Sequence, residues 1–311
     1  MTEVDQPRRN LPWIALGVVY VLWGSTYLAN RYIIVSMPPL LASGFRFMTG
    51  GVLLGLLVLV FAGPRAFGMN RAQFGTAALS GLLLPAWGNG LVIVAQSQVA
   101  SGLTALLIAS VPLYIAVLRA LTGDRPRRAT VLGVLVGAVG LALLVLVGPS
   151  GGSGGVSGSA WWGPPLVLLA GAGWATGTFA ASRMAVPANP FALATVQQLI
   201  GGTTLVVVGT AVGERLHPAA VAPVSWWAWL YMSLFVSLGA FSAYAYALST
   251  LPVSTVATYA YVNPVIAVLL GVVVAGERFS ITQLVGGAIV LLAVVMVIAA
   301  ERSARTPAEC R

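Results

Sequence analysis

Aromatic and amide side chains recur in this sequence at intervals suited to recognition rather than to bond making. Tyr20, Trp23, Tyr27 and Asn30 follow at steps of three, four and three residues. That spacing sets them in one stripe along a helix, with Thr26 at its border. Trp174 and Thr178 stand 151 residues beyond Trp23 and Tyr27, and Gly171 and Ala181 complete a second stripe of smaller side chains. Asn89 and Gln96, seven residues apart, share a face. Thr255, Thr258, Tyr259 and Asn263 cover an arc of about 140° at 3.6 residues per turn, and Ser242, Tyr246 and Ser249 form another face. Indole and phenol rings enclose apolar groups and draw cations to their faces, while amides meet ammonium and carboxylate groups. The substrate-binding residues expected on this basis are Trp23, Tyr27, Asn30, Trp87, Asn89, Gln96, Trp174, Thr178, Tyr246, Thr258, Tyr259 and Asn263. For any single Ser or Thr the alternative is interhelical hydrogen bonding, worth ~0.6 kcal/mol on average.

The elements that must position these residues are apolar helices. Of 311 residues, 59% are hydrophobic and only 7% charged, and the mean hydropathy is +0.94. A soluble domain carries roughly 25% charged residues, so this chain lacks a water-compatible surface. About 20 apolar residues cross the bilayer core as a helix. Cutting at charged or turn-rich breaks gives ten predicted spans: 11–33, 40–61, 74–97, 100–121, 129–147, 161–184, 189–212, 224–249, 252–275 and 281–300. The expected class is therefore an all-α membrane protein. Arg8 and Arg9 ahead of the first apolar run resemble a signal leader, but Glu3, Asp5 and the length of the run favour a retained span. The lone Cys310 has no partner for a disulfide within the chain.

All sixteen basic residues are Arg, and their scatter over loops argues against nucleic acid as a partner despite the net charge of +9. Cytoplasmic loops carry the arginine excess. With the N-terminus inside, twelve arginines fall on the inner side, and Arg31, Arg46, Arg215 and Arg278 on the outer. Both termini are thus expected to be cytoplasmic. Trp13, Trp161, Trp162, Trp226, Trp227 and Trp229 fall at span ends, as an interfacial belt requires. Trp23, Trp87 and Trp174 lie mid-span, where the indole N–H needs a partner, so they are expected to face the interior.

The chain also repeats itself. Residues 148–160 form a Gly/Ser linker between a first unit, 1–147, and a second, 161–311. Arg31 answers Arg183 and Pro112 answers Pro264, each 152 residues on. The run Ile115–Leu118 recurs at Ile266–Leu269, and Asp124-Arg125 answers Glu277-Arg278. Five spans per unit is an odd number, so the second copy must enter the membrane from the opposite side. Two inverted-topology repeats of five helices are the architecture of many secondary transporters.

Trp23–Tyr27 (WGSTY), Pro38-Pro39, Arg46-Phe47, Gly88–Gly90 (GNG), Ala260–Pro264 (AYVNP) and Gly276-Glu277 together resemble the EamA-type transporters of the drug/metabolite transporter superfamily. The resemblance covers residues 11 to 300. It implies an exporter of small molecules, often amino acids or related metabolites, working by alternating access in a bacterial inner (plasma) membrane. Some relatives carry an acidic residue where this chain has Gln96, which weighs against direct proton coupling.

No Asp, Glu or His occupies the middle of a predicted span, and no nucleophile–base pair or metal cluster lies within one. No catalytic residue, metal or cofactor is therefore expected. Glu277 is expected to pair with its neighbour Arg278. Arg46, six residues into its span, is expected to snorkel to the surface, with binding of a substrate carboxylate as the alternative. Pro112 and Pro264 withhold the N–H that would bond Ile108 and Ala260, and are expected hinges for gating. Gly133-x-x-x-Gly137, Gly51-x-x-x-Gly55 and Gly173-x-x-x-Gly177 are expected to pack helices closely. The partners expected are a small-molecule substrate and the lipid bilayer, with the chain a monomer or weak homodimer. The expected cargo is a neutral or zwitterionic metabolite, an amino acid above all; the alternative is efflux of lipophilic cations.

Overall fold

The computed structural model describes residues 10–124, 126–146, 161–251, 253–256 and 258–305. The Gly/Ser linker and both chain ends lie outside the described residues, as do the side chains of Ser242 and Ser249. Every regular element among the described residues is helical. The first half contains α1 (Leu11–Gly24), α2 (Thr26–Ile33), α3 (Pro39–Ala62), α4 (Arg71–Gly81), α5 (Gly90–Ala95), α6 (Ser101–Ile108), α7 (Val111–Leu121) and α8 (Arg128–Leu146). The second contains α9 (Gly163–Arg183), α10 (Pro190–Ala211), α11 (Pro223–Tyr231), α12 (Phe241–Thr250), α13 (Val253–Val256), α14 (Tyr259–Ala275) and α15 (Ile281–Arg305). Wide π-helical turns, Leu82–Asn89 and Met232–Ala240, join α4 to α5 and α11 to α12.

Seven of these runs are both long and apolar enough to cross a membrane: Leu11–Ile33, Pro39–Ala62, Arg71–Ala95, Ser101–Leu121, Arg128–Leu146, Pro190–Ala211 and Ile281–Ala300. Tyr259–Ala275 is a shorter apolar helix. Their outward faces are aliphatic and exposed, as at Val60, Leu135 and Val273, which is the surface lipid requires. Trp13, Trp161 and Trp227 are exposed at helix ends.

Small residues set the packing. In α8 a side chain at Gly133, Gly137 or Gly140 would collide with Val297, Leu113 or Val290. The glycine face of α8 is therefore filled by α7 and α15 of the same chain and is not free for a second copy. Gly51 and Gly55 of α3 meet Leu199 and Thr195 of α10 in the same way. The principal apolar core joins these helices through Leu103, Leu107, Leu144, Val290 and Val294, all fully buried.

Three rods are interrupted by hydroxyl residues. Ser25 between α1 and α2, and Ser110 between α6 and α7, each donate to the carbonyl three residues back, Leu22 at 2.9 Å and Leu107 at 2.6 Å. Thr258, ahead of α14, does the same to Thr255. Such bonds compete with the helical ladder and open a turn. Pro112 stands in the first turn of α7, where its missing N–H leaves no gap in the ladder. The two prolines thus differ: Pro264 is buried inside α14.

Candidate functional site

The interruption at Ser25 lies where α1 crosses α14, and the one at Thr258 lies beside Tyr20, further down α1. A Cβ added at Gly24 would lie 2.8 Å from Ile266 and 3.2 Å from the Asn263 carbonyl oxygen, so the two backbones touch there. Close to this crossing three rings gather. Trp23 lies 5.1 Å from Tyr244 and 5.0 Å edge-on from Tyr259, and the two tyrosines are 5.9 Å apart. Aromatic pairs at these separations contribute about 0.5–1.5 kcal/mol each beyond their burial. The Tyr20 and Thr258 hydroxyls bond to each other, and Tyr231 bonds Ser25 Oγ at 2.6 Å. The Asn263 amide oxygen, beside Pro264, is buried without a partner. A proline ring in place of an N–H and, beside it, an orphan amide leave unmet polarity next to the rings.

The sequence-derived residues divide between this cluster and ordinary packing. Trp23, Thr258, Tyr259 and Asn263 belong to the cluster. Asn30 donates to Gln96 Oε1 at 3.0 Å, and Gln96 Nε2 donates to the Tyr27 carbonyl at 2.8 Å. That chain ties the third apolar rod to the first just beyond the rings and leaves Asn30 Oδ1 unpartnered. Asn89 Nδ2 donates to Leu84 O at 3.3 Å within its own π-helical turn.

Trp87 and Trp174 form a separate interface. Gly173 leaves room for the Trp87 ring, Gly88 leaves room for Trp174, and Trp87 Nε1 donates to Leu169 O at 3.0 Å. Trp87 is 44% exposed, so its indole covers a helix joint instead of facing the rings around Trp23. Trp174 likewise lies against the Gly88 backbone and not against Trp23, contrary to the pseudo-symmetric facing expected from the stripes. Thr178 is exposed and bonds the Trp174 carbonyl one turn back, and Tyr246 is exposed on α12.

Tyr244 is the ring that sequence reasoning missed. The serines at 242 and 249 drew attention to the face of Tyr246, two residues round the helix, and α12 is apolar enough on all sides to give no other bearing. Arg46 is a second correction. It is 3% exposed, so it does not snorkel. Its Nη1 approaches Met232 Sδ at 3.8 Å, the guanidinium lies 4.0 Å from the Phe47 ring centroid, and Nε is buried without an acceptor.

Charge otherwise gathers at the helix ends. Glycines with positive φ follow α7 (Gly123, 98°), α10 (Gly213, 90°) and α14 (Gly276, 63°), a conformation in which a side chain is strained. An acid comes next each time, its N–H closing onto Arg119 O, Gly209 O or Gly271 O. Such left-handed caps swing the chain off the helix axis and aim the carboxylate at a neighbour. Glu214 accepts from Leu40 N at 3.2 Å and Leu41 N at 2.8 Å, at the start of α3. Glu277 accepts from Ser101 N, Ser101 Oγ and Gly102 N at 2.9, 2.7 and 3.1 Å, at the start of α6. Its partner is Arg31, at 2.6 Å, and not the exposed Arg278. Asp124 binds Arg119 at 3.0 Å and Arg183 at 2.9 Å. The hydrogen bond from Arg119, aided by the charge of Arg183, holds its carboxyl below the usual carboxylate range. Among the described residues no three His, Cys, Asp or Glu side chains cluster.

Comparison with known proteins shows the family. The EamA-like transporter family matches residues 11–146 and again residues 161–299. The chain belongs to that family, within the drug/metabolite transporter superfamily, and is a multi-pass inner membrane protein. The inner membrane transporter YedA of Escherichia coli (strain K12) is 37% identical over 284 residues, covering 91% of this chain and 89% of YedA. The chloroplastic WAT1-related protein At3g02690 of Arabidopsis thaliana is 27% identical, over 92% of this chain and 69% of its own. A solved crystal structure superposes with a TM-score of 0.63 at 19% identity, covering 94% of this chain and 99% of the other. That likeness bears on the fold.

Proposed function

We propose that this chain is a secondary transporter that exports small neutral or zwitterionic metabolites, amino acids foremost, by alternating access. Ten spans in two inverted five-helix repeats would carry it, with both termini cytoplasmic. Several pairings support that architecture. The π-helical turns recur 150 residues apart, α3 packs on α10, and α8 packs on α15, each element meeting its own counterpart from the other half. The observation that carries the function is the ring cluster Trp23–Tyr244–Tyr259 against the opened turn at Thr258 and the orphan Asn263 oxygen. Rings of this kind enclose an apolar side chain, and the unmet Asn263 amide oxygen suits an ammonium group. Pro264, withholding a hydrogen bond inside α14, and Pro112, next to the Ser110 break, are the hinges.

Counterflow in proteoliposomes, with a panel of amino acids and lipophilic cationic dyes, tests this reading. Amino-acid exchange that is lost in Trp23→Ala and Asn263→Ala, with insertion intact, is the expected result. Full activity in both variants would move the site elsewhere. Exchange of the dyes alone would favour efflux of cations, which the same three rings suit through cation–π contact. Exchange is expected to persist when the proton gradient is collapsed, because no Asp, Glu or His lies in the middle of a predicted span.

A further inference from the structure

Arg46 is a charged group held inside the protein without a counter-charge. It sits about 10 Å along α3 at 1.5 Å per residue, and among the described residues no carboxylate reaches it. Among the described residues its guanidinium meets a thioether sulfur and the Phe47 ring, and Nε is without an acceptor. One turn further along α3, at Gly50, two neutral polar groups converge. A Cβ there would stand 2.6 Å from Gln198 Oε1 and 3.1 Å from Ser237 Oγ. Gln198 is 3% exposed, and both its amide atoms are without partners. Ser237 bonds back to Met232 O across the second π-helical turn, the same residue whose sulfur faces Arg46.

The other half of the molecule shows what this place looks like when it serves packing alone. Gly50 corresponds to Gly201, 151 residues on, and Arg46 corresponds to Gln197. Gly201 packs on Pro85 of the first π-helical turn, much as Gly50 packs on Ser237. There the polar pair is neutral and complete: Gln197 Nε2 donates to Ser80 Oγ at 2.8 Å. A satisfied amide–hydroxyl bond therefore suffices to join these helices. A buried, unpaired guanidinium adds a desolvation cost with no packing return, and Arg presents a fork of donors matched to a carboxylate.

We infer that Arg46, with Gln198 and Ser237 one turn away, forms the subsite that takes the carboxylate of the cargo. The inference rests on the transport reading above and narrows it to substrates that carry a carboxylate. Lipophilic cations lacking one would not use this subsite.

The test separates the two claims. Purified wild-type protein is melted with acetate, with leucine and with isopentylamine (leucine without its carboxyl group), and the same three are offered in counterflow. Acetate and leucine are expected to raise the melting temperature, leucine well above isopentylamine, which can meet only the rings and Asn263, with leucine exchanged in preference to the amine. In Arg46→Gln the apparent affinity for leucine falls roughly tenfold to a hundredfold, the usual worth of a charge-assisted bond, and Arg46→Lys restores part of it. Equal responses of wild type to leucine and isopentylamine would overturn the inference even if Arg46→Gln failed to insert. So would an Arg46→Gln variant that binds leucine as wild type does. Stabilisation by acetate through Arg46 without any exchange would keep the subsite and sink the transport reading; no response to acetate or leucine would sink the subsite.

Discussion

Arg31 with Glu277, and Arg183 with Asp124, occupy equivalent places in the two halves of the chain, 152 and 153 residues apart. The molecule uses them differently. Glu277 caps the first residue of α6, and Asp124 lies three residues past the last of α7. The run Ser101–Leu121 between them measures about 30 Å at 1.5 Å per residue, so the two ion pairs close opposite ends of the bundle. At one end the Glu277 side chain is fully buried and accepts four hydrogen bonds, three of them from the start of α6. At the other, Asp124 and Arg183 are 39% and 48% exposed. One end is locked into the helix framework through the buried Glu277 carboxylate, with only Arg31 (42% exposed) meeting water, while at the other end water reaches both partners. Exposed pairs are weak and salt-sensitive, whereas a buried carboxylate serving helix N–H groups is part of the fold. On the transport reading proposed above, one tight and one loose end are what a single frame of alternating access would show.

Substitutions break this comparison in a graded way. Glu277→Ala should have the largest effect, because two backbone N–H groups, the Ser101 hydroxyl and Arg31 all lose their acceptor. A loss of about 3 kcal/mol or more follows from leaving such groups unsatisfied, measured as thermal unfolding in detergent. Next comes charge exchange. The double variant Arg183→Asp with Asp124→Arg should recover whatever transport each single variant loses. Arg31→Glu with Glu277→Arg should recover none, because an arginine at 277 would set a cation against the positive end of α6. Recovery at both ends would show that the two pairs are equivalent after all. Glu214→Ala, which uncaps α3, should cost about 1 kcal/mol in the same unfolding measurement, the usual value of an N-terminal cap.

The smallest effect is one of pH. The Asp124 carboxyl is held below the usual range by Arg119 and Arg183, so the folded protein binds its proton later than the unfolded chain does. Its contribution to stability is complete above the ordinary carboxylate pKa and fades as pH falls through the lowered value. The difference in melting temperature between wild type and Asp124→Asn should therefore be constant near neutral pH and shrink in acid. A difference that grew in acid would contradict the assignment.

Much of this was legible in the sequence. Apolar run length and arginine placement located the helices, and the Asp124/Glu277 and Arg31/Arg183 matches exposed the duplication. Which acid meets which arginine was not legible. Arg31 and Glu277 are 246 residues apart, and only the packing of the two halves against each other brings them together, so the adjacent Arg278 looked like the natural partner. Helical spacing singled out Trp23, Thr258, Tyr259 and Asn263, and α1 and α14 bring them near one another. The exposure of Trp87 and Thr178 and the burial of Arg46 were not legible, for one physical reason. These helices are apolar on every side, so periodicity has no polar face against which to fix their rotation. The π-helical turns compound the error, since a wide turn shifts the face of everything beyond it away from the 3.6-residue count.

The central claim is that the two ion-paired ends close one pathway in alternation. With Cys310 replaced by serine, spin labels at positions 35 and 278 would report on the Arg31–Glu277 end, and labels at 122 and 184 on the Asp124–Arg183 end. Distances across each pair, measured in liposomes with and without a cargo that supports counterflow, test the claim most directly. The account predicts that the two distances shift in opposite senses, one end parting as the other draws together. Two ends that stay fixed, or open and close together, would contradict it.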